Sequence, residues 1–142
     1  MKRQQGSQTL EFAMIALPFM LLMLAIFELT RFLWVNMIFE SAVNSAIREV
    51  RVLSPSYAAD QKFAARIAEF PLLRSEDIEV SQPRYAKTFA QLAQKTPVSS
   101  SQAILGEYSV SYQFAFLVVP RLNEAFSEVT TLKRTVVVSY DR

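Results

Sequence analysis

The chain has 142 residues, 15 of them basic and 13 acidic, with a formal net charge of +2 and neither histidine nor cysteine. That composition excludes thiolate and imidazole metal sites, thiol nucleophiles, imidazole bases and disulfides. With no basic run beyond residue 3 it carries no electrostatic footprint for nucleic acid. Hydrophobic residues make up 51% of the chain and are concentrated before residue 53, so one small domain plus an anchor is expected.

Residues 1–9 are polar and include Lys2 and Arg3. The run from Phe12 to Phe27, FAMIALPFMLLMLAIF, has no charge. With Leu10 and the following LTRFLWV the apolar zone reaches the roughly 20 residues that a bilayer core requires. A soluble helix would show a polar face at helical spacing, and this one is apolar all round. The rest of the chain is too small to enclose it, so a membrane span over about 10–35 is expected. Pro18 is tolerated in such a helix. Lys2, Arg3 and the amino terminus outweigh Arg31, which Glu28 offsets, so the N-terminus is expected in the cytoplasm and the C-terminal part exported. Trp34, with Phe32, fits an aromatic belt at the outer interface. A removable secretory signal would end in a small-x-small site, and FELTRFLWVN has none.

The helical pattern continues past the membrane. RFLWVNMIFESAVNSAIREVRVL has no Gly or Pro until Pro55. Phe32, Asn36, Phe39, Val43, Ala46 and Val50 are spaced by four, three, four, three and four, a heptad-like stripe. One helix over 7–53 is expected, its outer part, 36–53, amphipathic. That stripe must pack on something, and both the chain's own C-terminal domain and a neighbouring helix are expected, at different heights. Asn36 either sets register between helices or faces water. Glu28 and Arg31, three apart, form an interfacial ion pair or meet a partner subunit.

Residues 54–142 read as a small exported α+β domain. Pro55 breaks the long helix, and Ser56 can cap the next. YAADQKFAARIAEF is a second helix with Phe63, Ile67 and Phe70 on one face, ended by Pro71. DIEVSQPRY is a short strand that Pro83 assigns to an edge. YAKTFAQLAQK is ambiguous, a third short helix being one reading, and TPVSSSQ is a surface loop. EYSVSYQFAFLVV alternates Tyr108, Val110, Tyr112, Phe114 and Phe116 with polar residues, a strand with aromatics on its buried face. PRLNEAFSE is a turn or short helix, and TLKRTVVVSYDR is the last strand. An antiparallel sheet of about three strands results. Glu76, Asp77 and Glu79 cluster as acids, but nothing near them in sequence supplies a base, oxyanion donor or nucleophile. No enzymatic activity, cofactor or metal is expected.

The stretch QQGSQTLEFA carries the chemistry. Gly6 lets an extended backbone enter a protease without side-chain interference. Cleavage after it would start the mature chain at Ser7, with Glu11 fifth. The new amine is a cation at the cytoplasmic edge, and Glu11 is an anion slightly deeper. A carboxylate near mid-bilayer costs about 2.5–3.5 kcal/mol on insertion scales, and less near the interface. A neighbouring subunit's amine, offset along the axis, can reach it, whereas the chain's own lies at an awkward helical distance.

This arrangement resembles the type IV prepilin signal: a basic leader ending in Gly, and a Glu at the fifth mature position before an apolar helix. GSQTLEFAMIALPFMLLMLAIFELTRFLWVNMIFESA is similar to the N-terminal region of the TadE/TadF-like proteins. The shared features are Glu11-Phe12-Ala13, the leucine-rich run, and Glu28 with Arg31. The chain departs from that pattern in lacking a Gly between Glu28 and Arg31. The resemblance implies a type IV pilin-like fold and a minor pilin or pseudopilin of the tight adherence (Tad, Flp) pilus system. Such a protein has residues 1–6 as a leader that a prepilin peptidase removes between Gly6 and Ser7, and Glu11 and Phe12 as assembly positions. It sits in the bacterial inner membrane with its C-terminal domain in the periplasm. Its partners are other pilins or pseudopilins, Tad assembly-platform proteins and membrane lipid. The alternative is an unprocessed single-pass binding or sensor protein with an exported ligand-binding domain.

Overall fold

In a computed structural model the described residues are 4–118, 120 and 125–140, with side chains described from residue 8 onward. Helix α1 (Gln4–Arg51) is 48 residues long and unbroken at Pro18, which at 1.5 Å per residue makes it about 70 Å. It ends two residues short of the expected Leu53, with Arg48 and Arg51 in its last turn, where cations complement the helix dipole. Lys2 and Arg3 lie outside the described residues.

Helix α2 (Tyr57–Ala68) starts at Ser56, whose Oγ accepts from the Ala59 amide at 3.3 Å. It buries Ala59, Phe63 and Ile67. Phe70, expected on the same helical face, sits instead in the following turn and packs at the rim of the core. After Pro71 the chain passes Leu72, at φ 67°, and a 3-10 turn (Ser75–Asp77) before strand β1 (Ile78–Val80). Strand β2 (Arg84–Ala86) follows, then helix α3 (Phe89–Ala93), capped by Thr88. A loop containing a second 3-10 turn (Ser100–Gln102) leads to strand β3 (Leu105–Gln113). Helix α4 (Ser127–Thr130) is a single turn ahead of strand β4 (Thr131–Ser139). Within PRLNEAFSE, residues 121–124 lie outside the described residues, as do Val119 and the terminal Asp141 and Arg142 of the two expected strands.

The sheet has four antiparallel strands but is three rows wide. Strand β3 is central and pairs with β4 along its length, from Leu105↔Ser139 to Gln113↔Thr131. On its other side β2 pairs at Leu105–Glu107 and β1 at Val110–Tyr112, end to end. The single strand expected in DIEVSQPRY is therefore two. Pro83 has no N–H to give the ladder, and Ser81 makes the last bond before the break, its amide 2.9 Å from the Ser109 carbonyl.

The sheet's two faces differ as the alternation in β3 requires. Ser109, Ser111 and Gln113 point away from the helices, and Ser109 Oγ meets Thr135 Oγ1 at 3.1 Å. Tyr108, Val110 and Tyr112 are buried on the other face, beneath α2 and the outer half of α1. Phe39, Val43, Ala46 and Val50 are at most 1% exposed. The stripe on α1 therefore packs on the chain's own sheet and α2. Full burial of one such large side chain is worth about 1.5–3 kcal/mol, and Ala42 and Ala46, both fully buried, let the backbones come close. Phe63 stacks on Tyr108 at 4.5 Å between ring centroids, and Phe39 lies tilted against Tyr112.

A polar cluster crosses this core. Asp60 Oδ1, on α2, accepts from the hydroxyls of Tyr85 (2.6 Å) and Tyr108 (2.8 Å). The Tyr108 and Tyr140 hydroxyls lie 2.5 Å apart. Burial pushes the pKa of all three tyrosines above the ordinary phenol value, and the bonds to Asp60 reinforce this at Tyr85 and Tyr108. Gly106 leaves room for the cluster: a Cβ there would meet the Tyr140 hydroxyl at 2.9 Å.

Candidate functional site at the base of the domain

Two groups of residues bracket the uncharged part of α1. At its start, Gly6 and Ser7 continue the helix, the Ser7 side chain being outside the described set. Glu11 and Phe12 are exposed. At its end stand Glu28 and Arg31. Glu11 and Glu28 are 17 residues apart, about 26 Å along the axis, close to the thickness of a bilayer's hydrocarbon. Between them nearly every side chain is exposed. Helix α1 is long and apolar enough to cross a membrane, and this stretch is not covered by the domain.

Glu28 is nonetheless buried, with 6% of its surface exposed. Its Oε2 accepts from Arg31 Nε at 3.2 Å and Nη2 at 3.0 Å. Its Oε1 accepts from the backbone amides of Leu117 at 2.8 Å and Val118 at 2.9 Å. Arg31 also donates to the Ala115 carbonyl and lies over the Phe114 ring, 4.3 Å from its centroid, a cation–π contact. Four donors thus converge on one carboxylate, and the pair clamps the segment after β3 to the helix.

The strand ends just before this clamp. The aromatic alternation carries Phe114 inward, where it is buried, but the ladder stops at Gln113. Phe114 to Val118 then turns toward α1. Phe32, expected with Trp34 in an interfacial belt, packs edge-on against Phe114 at 5.1 Å and is half-buried. Trp34 remains exposed. Asn36 is half-buried and lines a cleft with residues of β4. Higher on α1, Arg134 from β4 reaches Glu40 at 3.1 Å and Asn44 at 3.4 Å.

Two clefts stack along this side of α1. The lower, of about 380 Å³, lies between Leu21, Leu24 and Leu29 on the helix and Phe116, Val118 and Val129 on the domain, and is almost wholly apolar. The upper is lined by Asn36, Glu40, Thr131, Lys133 and Arg134 and is mainly polar. Among the described residues no three acidic side chains gather as a metal site would need.

Sequence reasoning identified Glu28 and Arg31 but not Ala115, Leu117 and Val118. Their contribution comes from the backbone, which leaves no side-chain signature. The only trace is that the apolar run FLVV outlasts the alternation.

The helix that carries both ends of this arrangement is also what relates the chain to known proteins. Residues 6–48 match the TadE-like protein family. The TadE-like segment takes in the glycine, Glu11, the apolar run, the Glu28–Arg31 pair and most of the buried stripe, and leaves the rest of the domain outside. The match covers the helix and stops short of the domain's sheet. No curated protein and no solved structure matches the chain.

Proposed function

We propose that this chain is a minor pilin or pseudopilin of a Tad (Flp-type) pilus system. In this reading a prepilin peptidase cuts it between Gly6 and Ser7, and it sits single-pass in the bacterial inner membrane. Its N-terminus is cytoplasmic and its domain periplasmic. The observation that carries the reading is the coincidence, in one TadE-like segment, of Gly6, an acid at the fifth position after it, and an exposed apolar helix.

The physical logic is charge matching in lipid. Cleavage creates an ammonium group at Ser7. Glu11 enters the bilayer edge at a cost that pairing lowers, and a neighbouring subunit's amine, staggered along the axis, supplies the pair. Assembly then proceeds through helix–helix contacts in the apolar half, with Phe12 at the seam. The stripe from Phe39 to Val50 supports this division of labour, because the chain's own sheet already occupies it. That leaves Leu10 to Phe27, together with Leu33, Trp34 and Met37, to meet other pilins or the Tad assembly platform.

The deciding measurement is the intact mass of the protein purified from the membranes of a host that has the peptidase. A chain beginning at Ser7 is the expected result. Retention of Met1 to Gly6 would reject processing and favour an unprocessed single-pass binding or sensor protein.

A further inference from the structure

We propose that the base of the domain is itself seated in lipid. Leu72 on one side of α1, and Leu117, Val118 and Val129 on the other, enter the outer part of the bilayer beside Leu24 to Phe32. This rests on the membrane-anchor reading above and goes beyond it, because it assigns a lipid-facing surface to the exported domain.

Three observations converge. First, large apolar side chains from separate segments are displayed at one level of the helix. Leu72 is 63% exposed, Leu117 66% and Val129 71%. Leu72 adjoins Phe27 and Trp34, while Val118 and Val129 adjoin Leu21, Leu24 and Leu29. Leu72 is held at φ 67°, a left-handed conformation that costs a leucine energy. The apolar surface of the span thus continues onto the domain without interruption.

Second, polarity changes within about one helical turn. The apolar cleft reaches Phe32 and the polar cleft starts at Asn36, about 6 Å further along the axis. On the opposite side exposed Leu72 gives way to exposed Arg74 and Glu76. A change on both sides of a helix is what a lipid–water boundary imposes. A contact with a second copy would require it on one side only.

Third, backbone polar groups of the described segment just after β3 are met inside the protein. The amides of Leu117 and Val118 donate to Glu28, and the Ala115 carbonyl accepts from Arg31. The Phe114 amide donates to the Thr130 carbonyl at 2.9 Å. Irregular backbone is tolerated at lipid depth only when its hydrogen bonds are met in this way.

The test uses the full chain in phosphatidylcholine vesicles brominated on the upper acyl carbons, with iodide as the aqueous quencher. Trp34 is the only tryptophan, so a Trp34→Phe background accepts single reporters: Leu72→Trp, Leu117→Trp and Val129→Trp. Leu21→Trp serves as the span control and Thr135→Trp, on the outer sheet face, as the water control. The three base reporters should lose intensity to bromolipid comparably to Leu21→Trp and resist iodide, and Thr135→Trp should do the reverse. Reporters on two separate segments keep the test decisive if one variant misfolds. Iodide quenching of the base reporters without bromolipid quenching would overturn the proposal. So would protection from both quenchers, which would mean that a second copy covers the surface. If Leu21→Trp also escapes bromolipid, the anchor reading itself fails.

Discussion

Ninety positions separate Glu28 from Val118, and a 2.9 Å hydrogen bond joins them. Glu28→Ala removes the acceptor for two amides and leaves Arg31 without its carboxylate. Breaking a buried pair from one side costs about 3–5 kcal/mol, and here the loss falls on the segment after β3. Chymotrypsin cleavage at Phe114, Phe116 and Leu117 in detergent-solubilised full-length protein should accelerate strongly, and Glu28→Gln should fall between. Equal cleavage rates in parent and Glu28→Ala would show that the carboxylate does not hold this segment.

Asp60 accepts from the hydroxyls of both Tyr85 and Tyr108. Asp60→Ala should destabilise the folded chain by roughly 2–4 kcal/mol, since a buried polar group left unpaired costs about 1–3 kcal/mol. Tyr140→Phe, which removes one hydroxyl contact, should cost about 1 kcal/mol. Urea midpoints followed by near-ultraviolet circular dichroism of the tyrosines would rank the two variants.

The same cluster sets the alkaline limit. Its tyrosine hydroxyls have raised pKa values in the folded state, through burial first and hydrogen bonding second. A group whose pKa rises on folding stabilises fully below its unfolded pKa, here about 10, and progressively less above it. The thermal midpoint should therefore hold from neutral pH to about 9 and fall beyond about 10. Tyr108→Phe should flatten that fall, and an unchanged slope would exclude the cluster as its source.

Gly106 faces the Tyr140 hydroxyl and ring edge, at 2.9 and 3.1 Å from a Cβ that it lacks. Gly106→Ala overfills the site and should cost about 1–3 kcal/mol. Tyr140→Phe removes the closest contact, so the double variant should lose less than the sum of the two singles. Strict additivity would mean that the glycine is needed for another reason.

Glu11→Ala should leave cleavage after Gly6 intact while fibres are lost, because the proposed role of the acid begins only after the amine is made. Mass spectrometry of the membrane fraction and electron microscopy of the same cells separate the two steps. Normal fibres in that variant would remove the proposed pairing.

What could be read in the sequence was what depends on near neighbours along the chain. The uncharged run announces a span, and the spacing of Phe39, Val43, Ala46 and Val50 announces a buried face. Spacing says that a face must be covered without saying by what, so a neighbouring helix was expected beside the chain's own domain, and the structure shows the domain's sheet and α2 on it. The alternation from Tyr108 to Phe116 correctly turned Phe114 inward. It could not show the segment after Gln113 held to α1, because the group that holds it is a carboxylate far upstream. Pro83 pointed to an edge, and the structure adds that it divides that edge into two short strands. The tyrosine hydroxyls were invisible as a cluster, since alternation reports which way a ring points and not what its oxygen meets.

The change from apolar to mixed composition near residue 53 looks like the place to cut a soluble fragment, but the core does not respect it. Phe39, Val43, Ala46 and Val50 belong to the sheet's interior. A fragment starting at residue 54 would therefore be a sheet and a short helix exposing the groove that α1 fills. Helix α1 and the sheet share one core, so the sheet cannot bury its inner face until the outer half of α1 has packed on it.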